Sequence, residues 1–209
     1  IIELKNQGME KLIFDLRFNG GGYLHQAINI SDEFLKKDLL IVYTEGAHSK
    51  KRSFYSRSKG LFEDGELIIL VNSSTASASE IVAGAIQDWD RGLIVGRRSY
   101  GKGLVQRTIE YEDGSAMRLT ISRYYTPTGR SIQRSYADGV DAYRKDLAER
   151  KKHGEYYSQD SMQIDTNMLY YTPLRRKVYG GGGIVPDVFI AADTGKRNPI
   201  WGQLNRTNL

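Results

Sequence analysis

Three short segments combine small residues with polar side chains in patterns that could support catalysis. The first, SSTASASE at residues 73–80, places Ser77 where a predicted strand gives way to a predicted helix. A hydroxyl at such a junction lies at the exposed end of a sheet, and N–H groups at a helix start favour a developing negative charge. The segment therefore offers a nucleophile for acyl transfer. Its alternative role is a helix cap, which serine and threonine commonly provide.

The second segment, SYGKGLVQ at residues 99–106, holds a lysine between two glycines in a loop that connects predicted buried strands. Glycine neighbours allow the backbone of Lys102 to enter a crowded site. Burial disfavours the charged form of an amine, and a neutral lysine can accept the proton of a serine hydroxyl. The segment indicates a general base, and its alternative is an ordinary glycine turn that carries a surface lysine.

The third segment, DLRFNGGG at residues 15–22, follows a predicted strand and ends in three glycines. Such a turn leaves backbone N–H groups free to bind an anion, as in the oxyanion hole of acyl-transfer enzymes. A phosphate-binding loop would need a Gly-Lys-Ser/Thr ending or spaced dinucleotide-binding glycines, and the segment has neither. A tight turn that requires only small residues remains the alternative.

Other catalytic chemistries find less support. The chain has no cysteine, which excludes a disulfide framework, a thiolate zinc site and a cysteine nucleophile. Its histidines are His25, His48 and His153, and none has metal-ligand spacing to another histidine or to a pair of carboxylates. We predict no metal and no cofactor. A Ser-His-Asp triad through His25, which follows the glycine turn, stays open.

Composition indicates a soluble globular domain. The 209 residues are 40% apolar and 26% charged, with a net charge of +5. No apolar run approaches the roughly 18 residues of a membrane-spanning helix. The basic residues are scattered over the sequence, so we predict no nucleic-acid partner.

Strands alternate with helices early in the sequence and form a hairpin later, which predicts an α/β layer fold with a mixed sheet. The hairpin is centred on the turn Asp113-Gly114. Residues 139–179 read as an inserted arm with an amphipathic helix, and the tail from Asp193 has no clear periodicity. The predicted strands are 11–16, 39–43, 66–72, 93–95, 105–111, 116–125 and 184–190, the predicted helices are 24–35, 80–89 and 140–153, and residues 45–64 form a polar loop.

Together the three segments resemble the carboxyl-terminal processing peptidase (tail-specific protease) family of Ser–Lys serine proteases. Two further family marks are YTPTGRSIQ at residues 125–133 and GIVPDV at residues 183–188. The five motifs occur in the family's order and span the chain from about residue 8 to residue 188. Each motif alone has modest specificity for the family, but the ordered set of five is highly specific.

The resemblance implies a role for each matching residue. The nucleophile is Ser77, in preference to Ser79 or Ser74, and the general base is Lys102. Gln106 matches the glutamine that positions the lysine. The oxyanion hole would use the N–H of Ala78 and that of a glycine in the turn, with Gly21 favoured and Gly20 the alternative. Glu80 is expected to support the helix start.

The same resemblance implies a crotonase-like or ClpP-like core of stacked β-β-α units plus a helical arm. It implies an endopeptidase that acts on protein or peptide substrates bound through their C-terminal segments. The expected location is extracytoplasmic, in the periplasm or cell envelope. Because the chain opens at Ile1 within a predicted helix, we expect an upstream PDZ domain and the first part of the peptidase domain to lie outside these 209 residues. The sequence leaves open whether the protein forms a homo-oligomer.

Two other functions on related folds are considered. One is an apolar-ligand binding module, like the interphotoreceptor retinoid-binding proteins, which does not need a Ser–Lys pair. The other is an enzyme that acts on acyl thioesters, which would not call for a Gly-Lys-Gly loop opposite Ser77. The joint presence of Ser77, Lys102 and Gln106 favours the peptidase.

Overall fold

The computed structural model describes residues 1–193, which form an α/β fold of helices, strands and two short 3-10 turns. The helices are α1 (Ile2–Asn6), α2 (Leu24–Asp32), α3 (Ala78–Asp88) and α4 (Gly139–Lys152), and the strands are β1 (Lys11–Asp15), β2 (Leu40–Gly46), β3 (Ser49–Tyr55), β4 (Glu66–Val71), β5 (Leu93–Gly96), β6 (Leu104–Glu110), β7 (Ala116–Tyr125), β8 (Leu169–Tyr171), β9 (Lys177–Tyr179) and β10 (Val188–Phe189). No helix among residues 1–193 is long and apolar enough to cross a lipid bilayer.

Parallel and antiparallel pairings lie in separate four-stranded sheets. The parallel sheet has the order β1-β4-β5-β10, and the antiparallel sheet has the order β3-β2-β7-β6. Strands β8 and β9 form a small third sheet within the arm. The predicted α/β fold class is therefore confirmed.

Helix α3 is the centre of the core. All eleven of its residues are buried, and it contacts both β5 of the parallel sheet and β2 of the antiparallel sheet. Most of its residues are apolar or small, which suits such a position, and its buried side chains Glu80, Gln87 and Asp88 are hydrogen-bonded. Gly84 shows how close the packing is, because a Cβ there would lie 2.7 Å from Thr126 Cγ2. This burial fixes the position of the helix start, where Ser77 lies.

The three sequence segments meet at one edge of the parallel sheet. Strands β1, β4 and β5 run in the same direction and end at Asp15, Val71 and Gly96. The carboxyl ends of parallel strands share an edge, which is where ligands bind in α/β sheets. The segments that follow these strands are the glycine turn, the Ser77 turn and the Lys102 loop.

The predicted arm is tied to the Lys102 loop by buried arginines. Arg150 on α4 is 6% exposed and donates to the carbonyls of Ser99 and Gly182, at 3.2 and 3.1 Å. Arg98, in the same loop, forms a buried bidentate ion pair with Glu155. The arm therefore packs against the segment that carries the lysine.

Most element predictions are confirmed, including the hairpin and the arm helix, but the prediction for residues 45–64 is wrong in part. Residues 49–55 form β3, which pairs antiparallel with β2. The basic residues in this segment favoured the loop prediction. In the structure the sheet surface accommodates them, since the Lys51 ammonium lies 3.9 Å from the ring centre of Tyr43.

Two element ends also differ from prediction. Helix α2 ends at Asp32, and Phe34 and Leu35 turn into the core instead of extending the helix. The last predicted strand is reduced to Val188–Phe189, since Ile184 is buried and its N–H donates to Ser99 Oγ at 2.6 Å. The predicted tail beyond residue 193 lies outside the described residues.

Candidate active site

A cleft of about 460 Å³ lies at the edge where the three segments meet. It brings together five of the six predicted site residues, and the sixth, Glu80, lies buried beneath them. The residues that line it are Gly20, Gly21, Gly22, Tyr23, Leu24, Ser77, Ala78, Ile81, Lys102, Leu104, Val105, Gln106, Thr108, Arg118 and Tyr124.

Ser77 occupies the position immediately before α3 in an unusual backbone conformation. Its φ of 57° and ψ of −118° are disfavoured for a residue with a side chain, at a cost of roughly 1–3 kcal/mol. Glu80 Oε2 accepts the Ser77 N–H at 2.8 Å, and the Ser77 carbonyl accepts the N–H groups of Glu80 and Ile81. These contacts hold Ser77 half-exposed on the cleft, whereas Ser79 is buried within the helix.

Lys102 lies in a loop whose backbone is held at each residue. Its N–H donates to Glu80 Oε2 at 2.9 Å, and the N–H of Gly103 donates to Gln133 Oε1 at 2.8 Å. Gly101 has a φ of +87°, and a Cβ there would lie 2.6 Å from Arg134 Cγ. The glycine before the lysine is therefore required by both conformation and space.

Glu80 connects the serine and lysine segments. It is fully buried and accepts four hydrogen bonds, two on each oxygen. Oε2 accepts the N–H groups of Ser77 and Lys102, and Oε1 accepts the Ser99 hydroxyl at 2.5 Å and the Gly101 N–H at 2.6 Å. Burial raises the pKa of the Glu80 carboxyl above its ordinary value, although the four hydrogen bonds act in the opposite direction. The role of Glu80 thus extends beyond the helix start.

Gly21 lies against the backbone of the predicted nucleophile. Its φ is +96°, and a Cβ there would lie 2.6 Å from Ala76 O and 2.8 Å from both Ala78 N and Ser77 Cβ. A Cβ on Gly20 or Gly22 would meet no atom within 4 Å. The Gly21 N–H donates to Asn19 Oδ1 at 2.9 Å, so it would have to exchange this acceptor for an oxyanion.

The side chains of Ser77, Lys102 and Gln106 share the cleft without a hydrogen bond between any two of them in the described residues. Gln106 is exposed on β6, next to a register shift in the pairing with β7. None of the chain's three histidines, all within the described residues, lines this cleft. No group of three or more His, Asp or Glu residues in 1–193 is arranged to hold a metal ion.

The motif at residues 125–133 contacts both helix α3 and the Lys102 loop. Arg130 is fully buried and forms an ion pair with Asp88 Oδ1 at 2.7 Å, at the end of α3. Thr128 donates from both its N–H and its hydroxyl to Asp88 Oδ2. In the same motif, Gln133 holds Gly103 beside the lysine. Arg130 and Thr128 therefore hold the end of α3, and Gln133 holds the Lys102 loop.

Sequence reasoning missed Tyr124, which lines the cleft. The residue is 1% exposed, and its hydroxyl contacts the backbone of both Ser77 and Lys102. Its one sequence signal is its position directly before the motif at residues 125–133.

An α/β fold that places a helix-start serine and a glycine-flanked lysine on one cleft is an arrangement suited to acyl transfer. A model of peptidase family S41 matches residues 1–142, and the chain belongs to that family. This confirms the predicted resemblance.

Similar proteins agree with this assignment. The carboxy-terminal-processing protease of Bartonella bacilliformis is 44% identical over 121 residues, which are 58% of this chain and 28% of that protein. The chloroplastic C-terminal processing peptidase of Tetradesmus obliquus is 38% identical over 133 residues, 63% of this chain and 28% of that protein. The chain thus spans less than a third of these curated relatives.

Solved structures of similar fold include a C-terminal processing protease. The photosystem II D1 C-terminal processing protease matches with a TM-score of 0.61 and 28% identity, covering 90% of this chain and 36% of that one. A putative S41 protease from Bacteroides fragilis shares the fold with a TM-score of 0.55 and 17% identity, over 66% of this chain and 38% of that one.

Proposed function

We propose that this chain is the catalytic core of a serine endopeptidase in which Ser77 is the nucleophile and Lys102 the general base. The observation that carries the proposal is the shared cleft. Ser77 and Lys102 both line it, and their backbone N–H groups donate to the same oxygen of Glu80. Two residues that are 25 positions apart in sequence are thereby held at one site.

In the proposed mechanism, neutral Lys102 Nζ takes the proton of Ser77 Oγ as the oxygen bonds to the scissile carbonyl carbon. The carbonyl π electrons move to oxygen, and the N–H of Ala78 with that of Gly21 or Gly20 stabilises the oxyanion. Collapse of this intermediate breaks the C–N bond, and the Lys102 ammonium gives its proton to the leaving amine. Water, deprotonated by Lys102, then attacks the serine ester, and collapse of the second tetrahedral intermediate breaks the C–Oγ bond as Lys102 returns the proton to Ser77 Oγ. Gln106 orients the lysine from the neighbouring strand.

The proposed substrates are exported proteins, cleaved near their C termini, and the proposed location is the periplasm or cell envelope. Relatives described as carboxy-terminal-processing proteases, from a bacterium and from a chloroplast, support this assignment. The cleft's apolar lining residues, including Leu24, Ile81 and Leu104, suit the apolar side chains of a peptide.

The proposal is tested in the full-length protein with Ser77→Ala and Lys102→Ala. We expect each variant to lose at least about 10³-fold in kcat on a tailed protein substrate, because nucleophile and base act as a unit. A fluorophosphonate probe should label wild-type Ser77 and fail to label Ser77→Ala.

The histidine variants His25→Ala, His48→Ala and His153→Ala provide matched controls, since none of these side chains lines the cleft. Each should retain most of the wild-type kcat. Loss of turnover in a correctly folded His25→Ala protein, with activity kept in Lys102→Ala, would overturn the lysine-base mechanism in favour of a histidine triad.

A further inference from the structure

The hydroxyl of Tyr124 lies between the backbones of the proposed nucleophile and the proposed base. It donates to the carbonyl of Lys102 at 2.6 Å and is 3.0 Å from the carbonyl of Ser77. A phenol has one hydrogen, so the two carbonyls share one donor, with the shorter contact to Lys102. One buried oxygen therefore contacts both catalytic residues.

Tyr124 and Glu80 hold opposite polar groups of the same two residues. Glu80 Oε2 accepts the N–H groups of Ser77 and Lys102, and the Tyr124 hydroxyl contacts their carbonyls. The N–H and C=O of Lys102 are thus held by one carboxylate and one phenol, and the same two groups contact the N–H and C=O of Ser77, whose carbonyl also accepts the N–H groups of Glu80 and Ile81. We propose that Tyr124 is a positioning residue that sets the separation of Ser77 and Lys102 for proton transfer, an inference that rests on the Ser–Lys mechanism proposed above.

The location of Tyr124 in the fold supports this role. Ser77 belongs to the layer of the parallel sheet and α3, whereas Lys102 leads into β6 of the antiparallel sheet. Tyr124 is on β7, and its own N–H donates to Gly103 O at 2.9 Å, beside the lysine. Its ring and hydroxyl therefore span the junction between the two layers at the catalytic pair.

The Tyr124 hydroxyl is suited to act as a permanent donor. The side chain is 1% exposed, and burial together with the nearby charge of Glu80 raises the pKa of the phenol well above its ordinary value. The hydroxyl stays protonated throughout the pH range in which a peptidase works. Its contacts are to backbone, so its removal should affect the geometry of the reacting groups more than the binding of substrate.

Tyr125 provides a matched control. It is the next residue on the same strand, it stacks on Tyr43 with ring centres 4.8 Å apart, and it does not line the catalytic cleft. Neighbouring strand residues point to opposite faces of the sheet. Tyr124→Phe and Tyr125→Phe remove the same atom from the two faces.

The test measures kcat, KM and the rate of fluorophosphonate labelling of Ser77 in the full-length protein. We expect Tyr124→Phe to lower kcat and the labelling rate by about 10- to 100-fold with KM changed less than about threefold, as for small misplacements of reacting groups. Tyr125→Phe should match the wild type in all three measurements.

A third variant separates the donor from simple packing. With 4-aminophenylalanine at position 124, an N–H donor returns to the ring, and kcat should recover to within about fivefold of the wild type. This variant carries the test if Tyr124→Phe yields little folded protein. Failure of the folded amino variant to recover kcat would overturn the donor role.

The outcomes distinguish this inference from the proposed function. If Ser77→Ala and Lys102→Ala abolish turnover but Tyr124→Phe behaves like Tyr125→Phe, the positioning role is wrong and the mechanism stands. If Lys102→Ala keeps its activity, the mechanism is wrong, and the positioning inference falls with it.

Discussion

The backbone N–H of Lys102 donates to Glu80 Oε2, so a glutamate on helix α3 holds the loop that carries the proposed base. The same carboxylate accepts the N–H of Gly101 and the hydroxyl of Ser99 from that loop. Glu80 therefore accepts three hydrogen bonds from the loop and one from the helix start. Its substitution should disturb the lysine as much as the serine.

Glu80→Ala should be strongly destabilising. It leaves the buried donors of Ser99 and Gly101 without an acceptor, at about 1–3 kcal/mol for each group. We expect a loss of at least about 2 kcal/mol in the free energy of unfolding, measured by urea denaturation. Glu112→Ala is the control, because Glu112 is exposed in the hairpin turn and should change stability by less than about 0.5 kcal/mol. Equal effects in the two variants would contradict the role given to Glu80.

The raised pKa of Glu80 predicts a pH dependence of stability. Because the folded state binds this proton more tightly than the unfolded state, the contribution of Glu80 is fully present below the unfolded pKa of about 4.3. It is lost as the pH rises through the folded pKa. The stability of wild type relative to Glu80→Gln, which cannot titrate, should therefore fall with rising pH above about 4.3. A difference that stays flat or grows between pH 4 and pH 8 would show that the hydrogen bonds outweigh burial.

Gly21→Ala should damage the site for two reasons. The new Cβ would lie 2.8 Å from both Ser77 Cβ and Ala78 N, and the positive φ of Gly21 disfavours any side chain. We expect kcat to fall by about 10²-fold, as for a displacement of about 1 Å at a reacting group. Gly20→Ala is the matched control, since its Cβ would meet no atom within 4 Å and its φ is not positive. Both variants keep their backbone N–H groups, so a difference between them reports on space and conformation alone.

The charge of the cleft predicts a substrate preference. Apart from the proposed base, Arg118 is the charged residue among the described residues that line the cleft, and none of those residues is acidic. Peptides with a glutamate near the scissile bond should be cleaved faster than matched peptides with lysine. In Arg118→Glu this ratio of kcat/KM should fall by about 30-fold, because an interaction of about 0.5 kcal/mol changes sign for each of the two peptides. Arg107→Glu, on β6 and outside the cleft lining, should leave the ratio unchanged.

The elements that could be predicted from sequence were those with strong local signals. The hairpin from β6 to β7 follows from Asp113-Gly114 between two alternating runs, and Asp113 indeed caps that turn by accepting from Ser115. Strand β3 had no such signal. Its basic residues resemble a loop, and only pairing with β2 makes them a strand.

The residues of the candidate site also fall into those that local sequence motifs predicted and those that they did not. The sequence could indicate Ser77, Lys102 and Gly21, because each lies in a short motif of small residues and glycines. The linking roles of Glu80 and Tyr124 could not, since each depends on hydrogen bonds to distant positions. Tyr124 reaches Ser77 across 47 positions, and Glu80 reaches Lys102 across 22. Local patterns indicate the proposed reacting groups, but long-range contacts determine their spacing.

The conformation of Ser77 has a consequence for the folding of the chain. Its unfavourable φ can persist only when Glu80 and the segments at residues 15–22 and 99–103 are already in place around it. Contacts of this sequence separation form slowly, because loop-closure entropy must be overcome first. A nascent or partly unfolded chain therefore lacks the assembled site of the proposed nucleophile, so the proposed peptidase activity should arise only with the native fold.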